Sequence, residues 1–202
     1  APLDLLQAAG AIDSSYQFHW KRFLFDNFPK GPGFPPLAAP QPPADLPLAN
    51  VQAYSIDDSA TTEIDDALSV QGLGSGTVTL GIHIAAPGLA IQPGGELDKL
   101  GRTRLSTVYM PGYKITMLPG DVVQIYTLDE GRANPAVSLY VTIDEATLAI
   151  TATETRLERV PVSVNLRHDQ LDHIVTEAWL SDPTFQYENT PEPLIELREQ
   201  LS

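Results

Sequence analysis

Five carboxylates fall within ten consecutive positions of this chain: Asp57, Asp58, Glu63, Asp65 and Asp66. Crowded carboxylates repel one another, which raises their pKa values and costs stability unless a cation joins them. The segment lies between two strand-like runs, so a strand end, a loop and a strand start would aim Asp57, Glu63, Asp65 and Asp66 at one point. Oxygen-only donors suit hard ions such as Mg²⁺ or Mn²⁺. A pair of such ions about 3.5–4 Å apart clamps the attacking and leaving oxygens of phosphoryl transfer. An EF-hand loop is excluded: counted from Asp57, its ligand and glycine positions fall on Ser59, Thr61, Leu68 and Thr62. The plainer alternative is a solvated acidic loop. Against it, Ile56, Ile64 and Leu68 interleave with the acids, which pins the loop to a core. Spacing by itself leaves both readings open.

Charge along the chain is uneven. Between Gly31 and Asp98 there are eight acids and no Lys or Arg, whereas Lys99 to Gly120 holds Lys99, Arg102, Arg104 and Lys114 and no acid. A cation and an anionic ligand meeting in one place would produce that pattern, as would ordinary surface patchiness. The net charge of −14 argues against broad electrostatic binding of nucleic acid.

The elements that must position these residues fall into three stretches. Residues 1–28 read as the helical end of an N-terminal domain, with Ser14 or Ser15 capping YQFHWKRFLFDNF. Its aromatic stripe (Tyr16, Phe18, Phe23, Phe25) suits packing better than base stacking. Residues 29–50 read as a linker: eight of the 19 residues from Pro29 to Pro47 are proline, which enforces extended backbone in a stiff connector or a strap over a surface. From residue 51 to 202 strand signals dominate, in VQAYSI, ALSVQGL, TVTLGIHIA, STVYM, YKITML, VSLYVTID and TLAITATETRLERV, with a tight turn at GSG 74–76. Helices are expected near Glu96–Arg104, over His168–Leu180 and over Pro193–Leu201. The fold class is α+β, a mixed and largely antiparallel sheet flanked by helices and preceded by a short helical segment. Ending inside a helical pattern implies that the native chain continues.

A 202-residue chain that is 43% hydrophobic and 19% charged buries a real core. No apolar run approaches the roughly 20 residues of a membrane span. The N-terminus lacks the pattern of a signal peptide. Without cysteine there is no disulfide partner, thiolate zinc site or cysteine nucleophile, and a reducing cytoplasm is the expected setting. His83 sits in an apolar strand and reads as a satisfied core histidine. His19, His168 and His173 show no ligand spacing.

The run from Ser55 to Ser69, SIDDSATTEIDDALS, resembles the acidic signature of the ribonuclease II family catalytic domain, the RNB domain. The resemblance continues in order through Gly81–Ala85, Gly94–Asp98 with Arg102–Arg104, Ser106–Gly112 and Ile115–Pro119, covering roughly residues 51–145. It implies an enzyme of bacterial type: a Mg²⁺-dependent, processive, hydrolytic 3′→5′ exoribonuclease releasing nucleoside 5′-monophosphates from single-stranded RNA. It implies that Asp57, Glu63, Asp65 and Asp66 surround the metal, with Asp57 and Asp66 as direct ligands and Asp65 the acid most essential to the chemical step. Tyr109 matches the aromatic residue that stacks on the 3′-terminal nucleotides, and Arg102, Arg104 and Lys114 are the phosphate contacts expected beside it. A monomer is expected. Glu63 and Ala86 both stand where many members have Asp. The family's domain continues well past Ser202 into an arginine-bearing motif, so the chain resembles the first half of a catalytic domain, and most of the basic RNA channel would lie elsewhere. The competing reading is a non-catalytic RNA-binding or regulatory relative, or an inactive fragment. A calcium-stabilised β-rich module is a third, which would prefer Ca²⁺ and ignore RNA.

Overall fold

The computed structural model describes residues 2–182 and residue 198. Two helices come first, α1 (Pro2–Ala8) and α2 (Ser15–Asn27). Ser14 caps α2, its hydroxyl accepting the Gln17 N–H. Five strands then form a closed barrel in the order β1 (Ala53–Asp57), β2 (Asp66–Gln71), β3 (Thr77–Ala85), β6 (Ala133–Asp144) and β7 (Ile150–Arg167). All neighbours run antiparallel except β1 and β7, whose parallel pairing closes the ring. Between β3 and β6 the chain forms α3 (Glu96–Arg104), a two-stranded ribbon of β4 (Val108–Met110) and β5 (Tyr113–Ile115), and α4 (Gly120–Tyr126). The sheet is therefore mixed and largely antiparallel, as the sequence implies, and closed as well.

Alternation explains the barrel's filling. Ala67 and Ser69 of β2, Gly81 and His83 of β3, and Ala136, Ser138 and Tyr140 of β6 point inward and are buried. The interior is narrow, so small residues line it, and the His83 ring spans it between two hydroxyls, Ser69 Oγ and Ser138 Oγ, each at 2.8 Å. Burial pushes the His83 pKa down to about 4, with the Glu158 carboxylate opposing the shift, so the ring is neutral near pH 7. Gly81 is required here: a Cβ would sit 2.7 Å from His83 Nε2. Ile56, Leu68, Ile82, Ile84, Val137 and Leu139 occupy the outer face and are exposed.

A second core joins the helices to the proline-rich stretch. Leu118, Val122 and Tyr126 pack with Ala39, Ala90, Ile91 and Leu97, and Tyr126 donates to the Pro40 carbonyl at 3.1 Å. Residues 29–47 lie over the domain as a strap. Arg104 holds one end, its guanidinium 3.7 Å from the Phe34 ring centroid and donating to the carbonyls of Pro32, Gly33 and Thr116 at 2.8 Å each. At the other end Arg159 N donates to the Pro47 carbonyl and accepts from Ala49 N at its own carbonyl.

One helix lies where the sequence reading placed no element, and one helix expectation needs correction. Residues 120–126, rich in β-branched residues, form α4, because Val122 and Tyr126 bury one helical turn apart. The helix expected over His168–Leu180 is two pieces, α5 (His168–Leu171) and α6 (Glu177–Ser181), since Thr176 caps a new start by accepting Trp179 N. The helix expected over Pro193–Leu201 lies, but for residue 198, outside the described residues. Among the described residues no helix is long and apolar enough to cross a membrane.

Candidate active site

The acidic loop joins β1 to β2 across the barrel's end, and four anchors fix its path. Asp57, the last residue of β1, pairs in register with Arg167 of β7. Arg167 Nη1 donates to the carbonyls of Asp58 and Thr61. Buried Ile64 donates its N–H to Thr127 Oγ1 at 2.7 Å and accepts Leu128 N at its carbonyl. Ala85 N closes the exit by donating to the Asp65 carbonyl at 2.8 Å. Of the apolar residues interleaved with the acids only Ile64 is buried and pins the loop, whereas Ile56 and Leu68 are exposed on the outer face of the barrel.

The four acids share one electrostatic neighbourhood. The Asp65 carboxyl is held above the usual range, first by burial and then by the charges of Glu63, Asp66 and Asp57, with Lys114 opposing. Asp57 Oδ2 accepts Ser55 Oγ–H at 2.6 Å, and Asn165 Nδ2 in turn donates to Ser55 Oγ at 2.8 Å. Glu63 Oε1 meets Lys114 Nζ at 2.9 Å. Sequence spacing does not reveal Ser55 and Asn165 as the supports of Asp57. The signals for them were a serine two residues before Asp57 and a polar residue among the apolar ones late in β7.

The donor chemistry suits a hard divalent cation: oxygen ligands, with the repulsion on Asp65 offset in part by Lys114. The cage is not ready-made, because among the described residues no three acidic or histidine side chains already converge as a metal set. A cation would draw Asp57 and Asp66 toward Asp65, which already feels their charges.

Beside the acids a pocket of about 500 Å³ is lined by Glu63, Asp65, Ile84, Ser106, Thr107, Tyr109, Met117 and Thr127, among others. Tyr109 is 69% exposed and offers a ring face at this wall. The basic island is divided. Arg102 pairs with Asp98 at 2.9 Å, Arg104 is spent on the strap, and Lys114 reaches the acidic loop. Of the four residues expected to touch RNA, Tyr109 and Lys114 stand at the acids, and Arg102 and Arg104 stand on α3, engaged elsewhere.

Residues 46–202 match the family model described as the RNB domain. An uncharacterized ribonuclease of Synechocystis sp. is 38% identical over 113 residues, 54% of this chain and 17% of that protein. Exoribonuclease 2 of Serratia proteamaculans is 37% identical over 111 residues, 53% of this chain and again 17% of the relative. The matched stretch thus spans about a sixth of these relatives. Yeast Ssd1, described as a pseudonuclease, superposes with a TM-score of 0.62 at 25% identity, over 72% of this chain and 19% of its own. Mycoplasma genitalium RNase R in complex with ribose-methylated single-stranded RNA gives 0.59 at 21% identity, over 81% and 24%, a likeness of fold.

Proposed function

The chain belongs to the RNB domain family, and from that premise we propose that it carries the acidic half of the active site of a Mg²⁺-dependent, processive 3′→5′ exoribonuclease. Its substrate is single-stranded RNA, which it hydrolyses to nucleoside 5′-monophosphates. The observation that carries the reading is the placement of Glu63 and Asp65 with exposed Tyr109 around one pocket, where Asp65 also feels the charges of Glu63, Asp66 and Asp57. Mg²⁺, or Mn²⁺ in its place, would be held by Asp57 and Asp66 with Glu63 and Asp65 beside them, and it supplies an activated water and neutralises phosphate charge. Tyr109 stacks a terminal base without regard to identity, which suits a degradative enzyme. Asp65, which lines the pocket and whose carboxyl is held above the usual range, is the acid most essential to the chemical step. Ser55 and Asn165 hold the Asp57 carboxylate in place and would keep it oriented for an ion. The setting we propose is the cytoplasm, for which the cysteine-free composition speaks, with the chain acting as a monomer.

A second reading has one observation behind it: the fold is shared with a pseudonuclease, so a non-catalytic RNA-binding role fits the same scaffold. Retention of all four acids favours the enzyme. A denaturing gel of 5′-labelled single-stranded RNA, with Mg²⁺ and with EDTA, separates the two. The enzyme reading expects metal-dependent collapse to one short product, with turnover lost and RNA binding kept in Asp65→Asn. Intact RNA in every lane that nevertheless binds the protein would favour the non-catalytic role.

A further inference from the structure

Tyr109 and Lys114 are direct partners across the β4–β5 ribbon, so their side chains leave the same face. Val108 with Ile115, and Met110 with Tyr113, occupy the other face. The turn between the strands is Pro111–Gly112, with Gly112 at φ +74, which a side chain would strain. On the back of the ribbon the Tyr113 ring meets Trp20 of α2 edge-on at 5.3 Å, and Tyr16 Oη donates to the Pro111 carbonyl at 3.2 Å. On the front Lys114 Nζ reaches Glu63 Oε1 at 2.9 Å and donates to Thr62 Oγ1 at 3.0 Å. Glu63 is 13% exposed and Lys114 34%, so this pair is partly withdrawn from water. Two strands of three residues are marginal alone. The ribbon keeps its place because α2 backs it and the acidic loop holds its front.

We propose that Lys114 is a positioning residue: its ion pair with Glu63 latches the ribbon bearing Tyr109 to the acidic loop, and so fixes where Tyr109 holds the terminal nucleotides and at what remaining length cleavage stops. This rests on the exoribonuclease reading for its consequence, though not for the latch itself. A phosphate contact would need a lysine free to turn outward. Lys114 instead spends its ammonium on two atoms of the loop. Because it leaves the ribbon on the same side as Tyr109, moving one moves the other.

The latch is tested first without RNA, by thermal unfolding of Lys114→Met, Glu63→Gln and the double variant of the full chain. Lys114→Met lowers Tm by about 2–4 °C, and the same change made in the Glu63→Gln background lowers it by clearly less. Equal losses in both backgrounds overturn the latch. The second measurement is the length of the limit product from 5′-labelled RNA, together with the salt dependence of binding. Lys114→Met turns a single limit product into neighbouring lengths, Lys114→Arg restores the single length, and the salt slope of binding is unchanged. An unchanged limit product, with the slope of log affinity against log salt shallower by about one, would make Lys114 a phosphate contact and overturn the proposal. If the unaltered chain neither cleaves nor binds RNA, the exoribonuclease reading has failed, and the thermal cycle decides the latch alone.

Discussion

At the scale of single residues, what a side chain is for follows from what surrounds it. His83 is the clearest example. Its ring is neutral in the fold because burial holds the pKa at about 4, against an ordinary value near 6.5 in the unfolded chain. The unfolded state therefore binds more protons between those two values, and the stability contributed by the neutral ring is complete above pH 6.5 and lost as pH falls toward 4. Urea unfolding at pH 7 and pH 5 should differ by about 2 kcal/mol from this group alone. His83→Gln should be less stable at pH 7 and lose less between the two. Its role as a satisfied core residue was legible from its place in an apolar strand. The acids were legible too, as a run interleaved with isoleucines. What no local window contains is the support of Asp57, because Ser55 and Asn165 are 110 residues apart and meet only through barrel closure.

Elements are where local propensity and tertiary packing disagree. The strands of the barrel declare themselves by β-branched residues, and β3 runs over Thr77–Ala85 as its pattern implies. The stretch Gly120–Tyr126, where the sequence reading placed no element, folds as a helix, because Val122 and Tyr126 one turn apart complete the core beneath the strap. The proline-rich stretch was legible as extended backbone, but its attachment depends on Arg104, which the family resemblance led one to expect at phosphate. Arg104→Lys should release the strap's N-terminal end: a lysine has no planar fork to serve three carbonyls and stack on Phe34 together. The expected cost is about 2 kcal/mol, read in thermal unfolding together with faster limited proteolysis within residues 29–47. Unchanged proteolysis would mean that the Tyr126–Pro40 and Arg159–Pro47 contacts hold the strap unaided.

On the scale of the whole molecule, the parallel contact of β1 with β7 both closes the barrel and builds the site. Asn165 stands at that seam. Its Nδ2 donates to Ser55 Oγ and to the Leu128 carbonyl, and its Oδ1 accepts Glu130 N. Asn165→Ala should cost about 3 kcal/mol, because several buried polar groups lose partners at once. It should also shrink the rise in Tm produced by Mg²⁺, since Asp57 loses its orientation. A stability loss with an undiminished Mg²⁺ response would separate the seam from the acids. The same seam governs the order of events during synthesis. A chain emerging from the ribosome presents Asp57 to Asp66 early, while the strand that disciplines them follows about a hundred residues later. The nascent acids therefore pass through the exit tunnel and into solution as an unstructured polyanion, and no partial product of translation holds them in working geometry. The fixed path of the acidic loop, on this architecture, is withheld until residue 167 is free to pair.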